Sequence, residues 1–390
     1  MPLRIVDALD DIPAADWDRL AGDANPFLSH AFLAALEHHD CVGERFGWYP
    51  RHLTLYDAER LIGAVPLYLK DNSYGELVFD FAWADAYRRA GLRYYPKAVA
   101  AIPYTPATGP RLLLDPTADT ERAADLLTGA AVELCRELEL SSLHWLFTDA
   151  ADTARLQARG FLLRRGVQFH WHNPGYRDFD DFLSGFTAAK RKKLKRERRR
   201  VSDAGIELRV VHGHEADAAL WRTVHGFYTS TFDRKSGIAT LSLDFFREIG
   251  RTLGDRIVLV IAYVGDRPVA CAINLRGRQA LYGRHWGCLA DYHSLHFEAC
   301  YYQGIDYCIR HGLTLFEPGA QGEHKISRGF VPVSTWSAHW IADDRFRASI
   351  ADFLQREDRA MRDYIDELRE HLPYRADAPA PRAGQPGGHR

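Results

Sequence analysis

The run of side chains best suited to catalysis lies at positions 317–330, which read EPGAQGEHKISRGF. Its carboxylates and its imidazole can accept a proton from an attacking amine, a step that needs a group with a pKa near the working pH. Its glycines let backbone N–H groups approach a ligand, and its cations can pair with carboxylate or phosphate. A solvated loop whose charges pair with one another is the alternative interpretation. We predict catalytic roles for Glu317 and His324, and substrate binding by Gln321, Glu323, Lys325 and Arg328.

A second group of candidates includes residues just upstream of this run. Tyr282 and His285 lie on a predicted strand, and Glu298 lies on the following predicted helix among apolar and aromatic residues. A carboxylate on a buried face needs a partner, so we predict a catalytic role for Glu298 and substrate binding by Tyr282 and His285. A histidine on a strand is more often a core residue than a catalyst. We also predict substrate binding by Tyr104, in a Pro/Tyr-rich segment (88–110) that either lines a groove or fills space between lobes.

The strongest charge anomaly is the basic block, residues 190–200, which holds nine basic residues and one acid. The whole chain has 50 basic and 52 acidic residues, so the rest of it is mildly acidic, with 41 against 51. A positive block this dense repels itself and is stabilised by phosphates or another anionic surface. A solvated helix face or a targeting-like patch is the alternative. We predict that a polyanion is bound by Lys190, Arg191, Lys192, Lys193, Lys195 and Arg196.

Several common motifs are missing from the sequence. It has no G-x-x-x-x-G-K-[ST], G-x-G-x-x-G or G-x-S-x-G string, which argues against simple NTPase, Rossmann and esterase functions. An acetyl-CoA loop of the form [RQ]-x-x-G-x-[GA] is also missing, because the nearest match, at residues 157–162, fails at its last position. The six cysteines form no C-x-x-C pair, and no histidine pair on a predicted helix or strand has metal-ligand spacing. We expect no metal and no tightly bound cofactor.

The length and composition indicate a globular protein with more than one domain. The chain has 390 residues, of which 46% are hydrophobic and 26% charged, so each of two domains can bury a core. The first residues have early acids and no continuous apolar region, unlike a signal peptide. No apolar run approaches the length of a membrane span, so we expect at most peripheral membrane contact. We expect a cytoplasmic protein with free thiols.

The order of the predicted elements indicates an internal duplication. A hairpin, a helix and a strand occur twice, at residues 50–69, 120–139 and 143–147, and again at residues 257–275, 296–311 and 314–317. This repeat predicts two tandem α/β lobes, residues 1–175 and 176–345.

The basic block lies at the head of the second predicted lobe. Its surroundings predict one helix over residues 179–203, with a narrow apolar seam and basic side chains around most of the circumference. Such a helix cannot lie flat on a core, so we expect it to project as an arm. A charged helix is predicted at residues 346–373. A disordered tail rich in Pro, Ala and Gly is predicted at residues 374–390.

Several short strings are specific enough to compare with known families. They are NPFLS at 25–29, PLYLK at 66–70, SYGE at 73–76 with VFD at 78–80, YYPK at 94–97, and GAQGEHK at 319–325. Together they resemble the FemAB-like branch of the GNAT acyltransferase superfamily, which is often labelled as peptidoglycan biosynthesis or recognition. The resemblance covers roughly residues 1–345.

The resemblance implies two tandem GNAT-like lobes with mixed central sheets, plus a basic helical arm on the second lobe. Fem transferases move an amino acid from aminoacyl-tRNA onto an amine of a peptidoglycan precursor, and their active groove lies in or beside the second lobe. Residues 190–200 match the arm, and Glu317 matches an acidic position at the end of a strand.

Two functions of different class follow from these observations. The first is an N-acyltransferase or aminoacyltransferase that uses aminoacyl-tRNA or acyl-CoA as co-substrate. Its acceptor would be an amine of a peptidoglycan precursor, a peptide or a small molecule, and its arm would hold tRNA or a phosphorylated precursor. Acyl transfer needs mainly proximity and oxyanion stabilisation, so one weak base suffices. The alternative is a non-catalytic GNAT-fold protein that binds nucleic acid, anionic lipid or cell-wall fragments.

Overall fold

In the computed structural model the residues described are 1–234, 237–320 and 322–375. They form two compact units. The first unit comprises residues 1–23, 27–167 and 334–364, and the second comprises residues 24–26, 168–333 and those from Ile365 onward. The predicted division at residue 175 lies within the second unit. Residues 334–345, predicted as the end of the second lobe, belong to the first unit.

The elements alternate between strands and helices along the chain. The strands are β1 Leu3–Val6, β2 Trp48–Pro50, β3 His52–Asp57, β4 Arg60–Val65, β5 Leu67–Lys70, β6 Lys97–Ala100, β7 Leu113–Leu114, β8 Ser142–Leu146, β9 Leu162–His172, β10 Ile206–His212, β11 Ile257–Val264, β12 Arg267–Arg276, β13 Ala280–Cys288, β14 Leu315–Glu317 and β15 Val331–Ile341. The helices are α1 Ala14–Ala21, α2 His30–His38, α3 Phe81–Arg89, α4 Thr120–Glu137, α5 Ala150–Ala158, α6 Phe179–Ser184, α7 Ala188–Asp203, α8 Ala218–Arg234, α9 Leu243–Leu253, α10 Leu295–Phe297, α11 Gln303–Arg310 and α12 Asp344–Glu370.

The first unit has a four-stranded sheet in the order β1-β3-β4-β7 and a second set of paired strands in the order β15-β8-β6-β5-β2. The predicted hairpin is present as β3 and β4, which pair antiparallel. The predicted helix at residues 120–139 is present as α4, and its N-terminus is capped by Asp119, whose side chain accepts from the backbone N–H of Arg122. Its alanine and leucine stripe packs on the strands in a core that includes Leu53, Leu127 and Trp145.

The second unit has a mixed sheet in the order β10-β11-β12-β13-β14-β9. Strands β11 and β12 are the predicted second hairpin, and residues 257–262 are fully buried because both faces of the sheet are covered. Strands β13 and β14 are parallel neighbours. Within the described ranges, no helix combines the length and the apolar character that a membrane span requires.

The basic region differs from its prediction in two respects. The expected single helix is two helices, α6 and α7, because Phe186 turns into the core, where its ring lies 4.9 Å from that of Phe182, and Thr187 adopts an extended backbone. The expectation that the helix projects away from the body is wrong. One face of α7 is packed on the second unit, with Leu194 and Val201 buried. Burial of this face is possible because its polar members find partners in the unit.

Candidate active site

The site begins where two parallel strands separate. Strands β13 and β14 pair only over Ala280–Tyr282 and Leu315–Glu317. Strand β14 ends there because Pro318 has no N–H to continue the ladder. Strand β13 continues to Cys288, and a bulge at Arg284 shifts its register against β12. Ligands in open α/β sheets collect beyond the carboxyl ends of such strands.

A cavity of about 660 Å³ lies at this separation, entirely within the second unit. Helix α8 forms one wall, where the hydroxyl of Thr231 donates to the carbonyl of Trp286 at 2.6 Å. The other walls come from β12, from β13, from the helix after it and from the loop after β14. The lining residues are Tyr228, Thr231, Phe232, Ala272, Asn274, Gly283, Arg284, His285, Trp286, His296, Cys300, Tyr301, Pro318, Gly319, Ala320, Gly322, His324 and Lys325. Its volume is that of a small-molecule site.

His324 and Tyr301 form a hydrogen-bonded pair on the cavity wall, with 2.8 Å between the hydroxyl and Nε2. Although part of His324 is exposed, partial desolvation and the nearby Arg328 and Lys325 lower the pKa of His324, so its imidazole is mainly neutral at pH 7. Burial raises the pKa of Tyr301, so its hydroxyl keeps its proton. Gly322 has a φ of +116°, and a Cβ there would lie 2.4 Å from the His324 ring. Glycine is therefore required for this ring position.

Lys325 is a buried cation at the cavity, with 2% of its surface exposed. Its Nζ donates to the carbonyl of Gly319 at 2.6 Å. Among the described residues, no carboxylate lies within ion-pair distance of this nitrogen. Burial lowers the pKa of Lys325 to about 8. Lys325 thus carries a poorly compensated positive charge at neutral pH, which suits an anionic group of a ligand.

Two further basic side chains lie on β13. Burial lowers the pKa of Arg284 to about 10, although Tyr228 and Glu317 oppose the shift. Burial and the neighbouring Arg284 also lower the pKa of His285 well below its ordinary value. His285 lines the cavity as a neutral ring that packs edge-on to Tyr228, 4.8 Å between centroids.

Glu298 and Arg328 are paired with helix α7. The carboxylate of Glu298 accepts from the guanidinium of Arg198 at 3.0 and 3.2 Å, and burial raises its pKa. Arg328 donates to both carboxylate oxygens of Glu197 at 3.0 Å, and its guanidinium lies 3.4 Å from the centroid of the Phe297 ring. Neither is among the residues that line the cavity. These contacts hold the basic helix on the unit.

Glu317 and Tyr282 lie side by side in the ladder where the strands separate. Glu317 is buried, and its Oε2 is 4.0 Å from Nε2 of His170. Burial lowers the pKa of His170 to about 3, so this imidazole is neutral. Neither Glu317 nor Tyr282 is among the described residues that line the cavity.

The remaining predicted site residues lie apart from the cavity or outside the described ranges. Glu323 is exposed and is not part of the lining. Gln321 lies outside the described residues, as do residues 376–390 of the predicted tail. Tyr104 belongs to the first unit, where its hydroxyl donates to the carbonyl of Cys41 at 2.7 Å. The structure thus brings together His285, His324 and Lys325 from the predicted set.

The outer face of α7 carries a cluster of free cations, which we call the basic face. Its members are Lys192, Lys193, Arg196 and Arg199, all of which are exposed. None of them forms an ion pair with another described residue. Lys195 is exposed and pairs with Asp180 at 2.7 Å. Lys190 and Arg191 are half-buried. The spacing of the basic face places it opposite the buried Leu194 and Val201.

Tyr301, His296 and Arg284 were not predicted as site residues. Tyr301 follows Glu298 by three positions on a helix, where an aromatic side chain is typical of a core. The helix contains a π turn over Glu298–Tyr302, a distortion that is frequent at functional sites. Nothing in the residue pattern marks this turn. Arg284 is adjacent to His285, which was predicted, and that adjacency is the signal that could have found it.

No metal site emerges from the described part of the chain, where no group of three or more His, Cys, Asp or Glu side chains is arranged to hold an ion. His212 and His214 stack on each other at the surface, with 6.3 Å between ring centroids.

Comparisons with known proteins agree with this architecture. The structure of FemX is similar with a TM-score of 0.55 at 11% identity, over 90% of this chain and all of FemX. The C-terminal domain of a putative lysylphosphatidylglycerol synthetase from Agrobacterium fabrum has a TM-score of 0.52 at 11% identity, over 87% of this chain and 96% of that domain. A tandem GNAT protein from the clavulanic acid biosynthesis pathway has a TM-score of 0.43 at 12% identity, over 88% of this chain and 98% of that protein.

These similarities concern the fold, because the identities are low. The predicted fold class of tandem GNAT-like α/β lobes with mixed sheets is confirmed. No curated protein sequence matches the chain. A family model described as peptidoglycan biosynthesis/recognition matches residues 8–376. The chain therefore belongs to the FemAB-like family.

Proposed function

We propose that this protein is an N-acyltransferase or aminoacyltransferase whose reaction takes place in the cavity of the second unit. The nitrogen of an amine attacks the carbonyl carbon of an activated ester or thioester. A C–N bond forms, the C–O or C–S bond breaks, and the proton lost by the amine becomes available to the leaving alcohol or thiol. The observation that carries the proposal is the cavity between separating strands, which brings a proton acceptor and a buried cation together.

The pair of Tyr301 and His324 supplies the proton relay. Tyr301 accepts the proton of the amine while its own proton passes to Nε2 of His324, 2.8 Å away. The lowered pKa of His324 keeps it neutral and ready to accept at pH 7. The relay then runs in reverse to protonate the leaving group.

Lys325 supplies the positive charge for the oxyanion that develops on the carbonyl oxygen. Lys325 is itself buried, so water screens its charge less than that of a surface lysine. Its hydrogen bond to Gly319 fixes the direction of Nζ without neutralising it.

The donor is proposed to be an aminoacyl-tRNA or an acyl-CoA, both of which carry phosphates. The basic face of α7 supports a tRNA donor, because its four exposed cations, which form no ion pair with the described residues, suit a phosphate backbone. A charged-tRNA donor would place the reaction in the cytoplasm. The acceptor is proposed to be an amine of a peptidoglycan precursor, in keeping with the description of the family.

Transfer assays with labelled aminoacyl-tRNA and labelled acyl-CoA test the chemistry. We expect His324→Ala and Tyr301→Phe each to lower kcat by about 10²-fold, the usual contribution of a proton-transfer group, and to leave donor binding unchanged. His214→Ala, an exposed histidine of the same unit, is the control and should retain full activity. Full activity in both cavity variants would refute the assigned relay. A purified protein that transfers from neither donor would favour the non-catalytic binding protein.

The salt dependence of tRNA binding tests the donor site. Replacement of Lys192, Lys193 and Arg196 by Gln should reduce the slope of log K against log salt by about two to three, one released counterion per lost contact. The matched control replaces three exposed arginines of α12, Arg356, Arg359 and Arg362, and should leave the slope unchanged. Equal slopes for both triple variants would remove the basic face from donor binding.

A further inference from the structure

The first unit exposes a cluster of large apolar side chains within residues 74–81, which we call the aromatic patch. Tyr74 is 73% exposed, Leu77 37%, Phe79 56% and Phe81 43%. The ring of Phe81 lies 5.8 Å from that of Tyr74 and 6.2 Å from that of Phe79, measured between centroids. Single exposed apolar residues are common, but a contiguous group of this kind indicates a binding surface.

The polar residues of the same segment point inward and hold it in place. Ser73, Glu76 and Asp80 all accept hydrogen bonds from the buried ammonium of Lys97, at 2.9 Å for Ser73 and 2.8 Å for Glu76. The carbonyl of Phe79 accepts from the guanidinium of Arg164 at 2.7 Å. The segment is therefore anchored through its polar groups, and its apolar groups are left on the outside.

The backbone of the segment also carries strain. Leu77 has a φ of +61°, a left-handed conformation that a leucine adopts only at a cost. The exposed side chain of Leu77 leaves water if the patch is buried against an apolar phase.

The exposed charged side chains within residues 74–93 carry a net positive charge. Helix α3 begins with Phe81 and ends with Arg88 and Arg89, which are exposed, as is Arg93 just beyond it. One carboxylate, that of Asp85, pairs with both helix arginines at 2.5 and 3.1 Å. The acids Glu76 and Asp80 are buried and both contact the ammonium group of Lys97. The exposed surface of residues 74–93 thus has three arginines against one aspartate.

We propose that the aromatic patch docks on an anionic lipid bilayer. Aromatic and aliphatic side chains enter the boundary between headgroups and acyl chains, and arginines beside them contact anionic headgroups. A carbohydrate fits less well, because Leu77, Phe79 and Phe81 offer it no side-chain hydrogen bonds and the carboxylates of Glu76 and Asp80 are buried. The positive charge selects an anionic surface. This surface is distinct from the basic face of α7.

Sedimentation with lipid vesicles tests the proposal. The full-length protein is mixed with vesicles of phosphatidylcholine that contain about one quarter phosphatidylglycerol, and with vesicles of phosphatidylcholine alone. At about 0.5 M NaCl, where charge attraction is screened, we expect Phe79→Ser/Phe81→Ser to weaken partitioning at least about tenfold. The matched control is Ile238→Ser/Leu289→Ser, which removes exposed apolar residues of the second unit and should bind like the unaltered protein.

Two further measurements separate insertion from attraction. Replacement of Lys192, Lys193 and Arg196 by Gln should reduce only the part of vesicle binding that high salt also abolishes. Phe79→Trp should show fluorescence quenching by brominated acyl chains beyond that of the unaltered protein, because the new ring sits among them.

The proposal is overturned if the unaltered protein does not bind anionic vesicles. It is also overturned if the Phe79→Ser/Phe81→Ser variant, shown to be folded by circular dichroism, binds vesicles as well as the Ile238→Ser/Leu289→Ser control does. Capture of a protein partner that depends on Phe79 and Phe81, by a protein that binds no vesicles, would also overturn it. Transfer to a water-soluble amine should be unchanged in this variant. The bilayer proposal and the proposed reaction therefore fail independently.

Discussion

Lys97 in the first unit and Lys325 in the second are both buried in polar clusters, and the two lysines differ in their partners. Lys97 in the first unit donates to a serine and two carboxylates and is fully buried. Lys325 in the second unit is buried nearly as deeply, donates to one carbonyl oxygen and borders a cavity.

The two environments shift the pKa values in opposite directions. Burial alone would lower the pKa of Lys97, but the carboxylates of Glu76 and Asp80 outweigh it and raise the pKa above its ordinary value. Burial acts nearly unopposed on Lys325 and lowers its pKa to about 8. A buried lysine with its full set of counter-charges stabilises structure, whereas one without them is available for chemistry.

The largest effect should come from Lys97→Met. The substitution removes the ammonium group that donates to both buried carboxyls, Glu76 and Asp80, so we expect unfolding to become easier by about 3–5 kcal/mol. The midpoint of urea unfolding, followed by circular dichroism, measures the loss. Adding Glu76→Gln and Asp80→Asn should restore part of it, because amides are cheaper to bury than carboxylates. An unchanged midpoint for Lys97→Met would show that the cluster is not what holds residues 73–80.

Lys325→Met should leave the stability nearly unchanged and should lower the transfer activity instead. No counter-charge is orphaned and a desolvated charge is removed, so stability should change by less than about 1 kcal/mol. Transfer should fall about 10²-fold in kcat because the oxyanion loses its cation. Steady-state kinetics on the folded variant measure this. If Lys325→Met instead destabilises the fold as much as Lys97→Met does, the distinction between the two lysines is wrong.

The pH dependence of transfer should show the smallest effect. Lys325 acts in its protonated form, so kcat should fall as pH rises through about 8, by about tenfold per pH unit above it. Lys325→Arg keeps its charge at high pH and should abolish this fall. Activity that instead increases through pH 8 would mean that neutral Lys325 is the base.

The sequence predicted the architecture well where neighbouring residues decide it. The alternating and helical periods located α4 and the hairpins of both units, and the density of charge located the basic segment at residues 190–200. It missed the break between α6 and α7, because Phe186 belongs to a core that local pattern does not reveal. The predicted free arm was wrong for a similar reason: Glu197 and Arg198 lie in a basic helix but pair with Arg328 and Glu298.

The sequence by itself determined that residues 317–330 and 190–200 are chemically unusual, since residue types and spacing suffice for that. The tertiary structure decided which of these side chains meet a cavity. It joined His324 to Tyr301 and left Lys325 without a carboxylate, whereas Glu298 and Arg328 were used to hold α7. The physical reason is that a pKa or an ion pair depends on burial and on partners distant in sequence, which no local pattern contains.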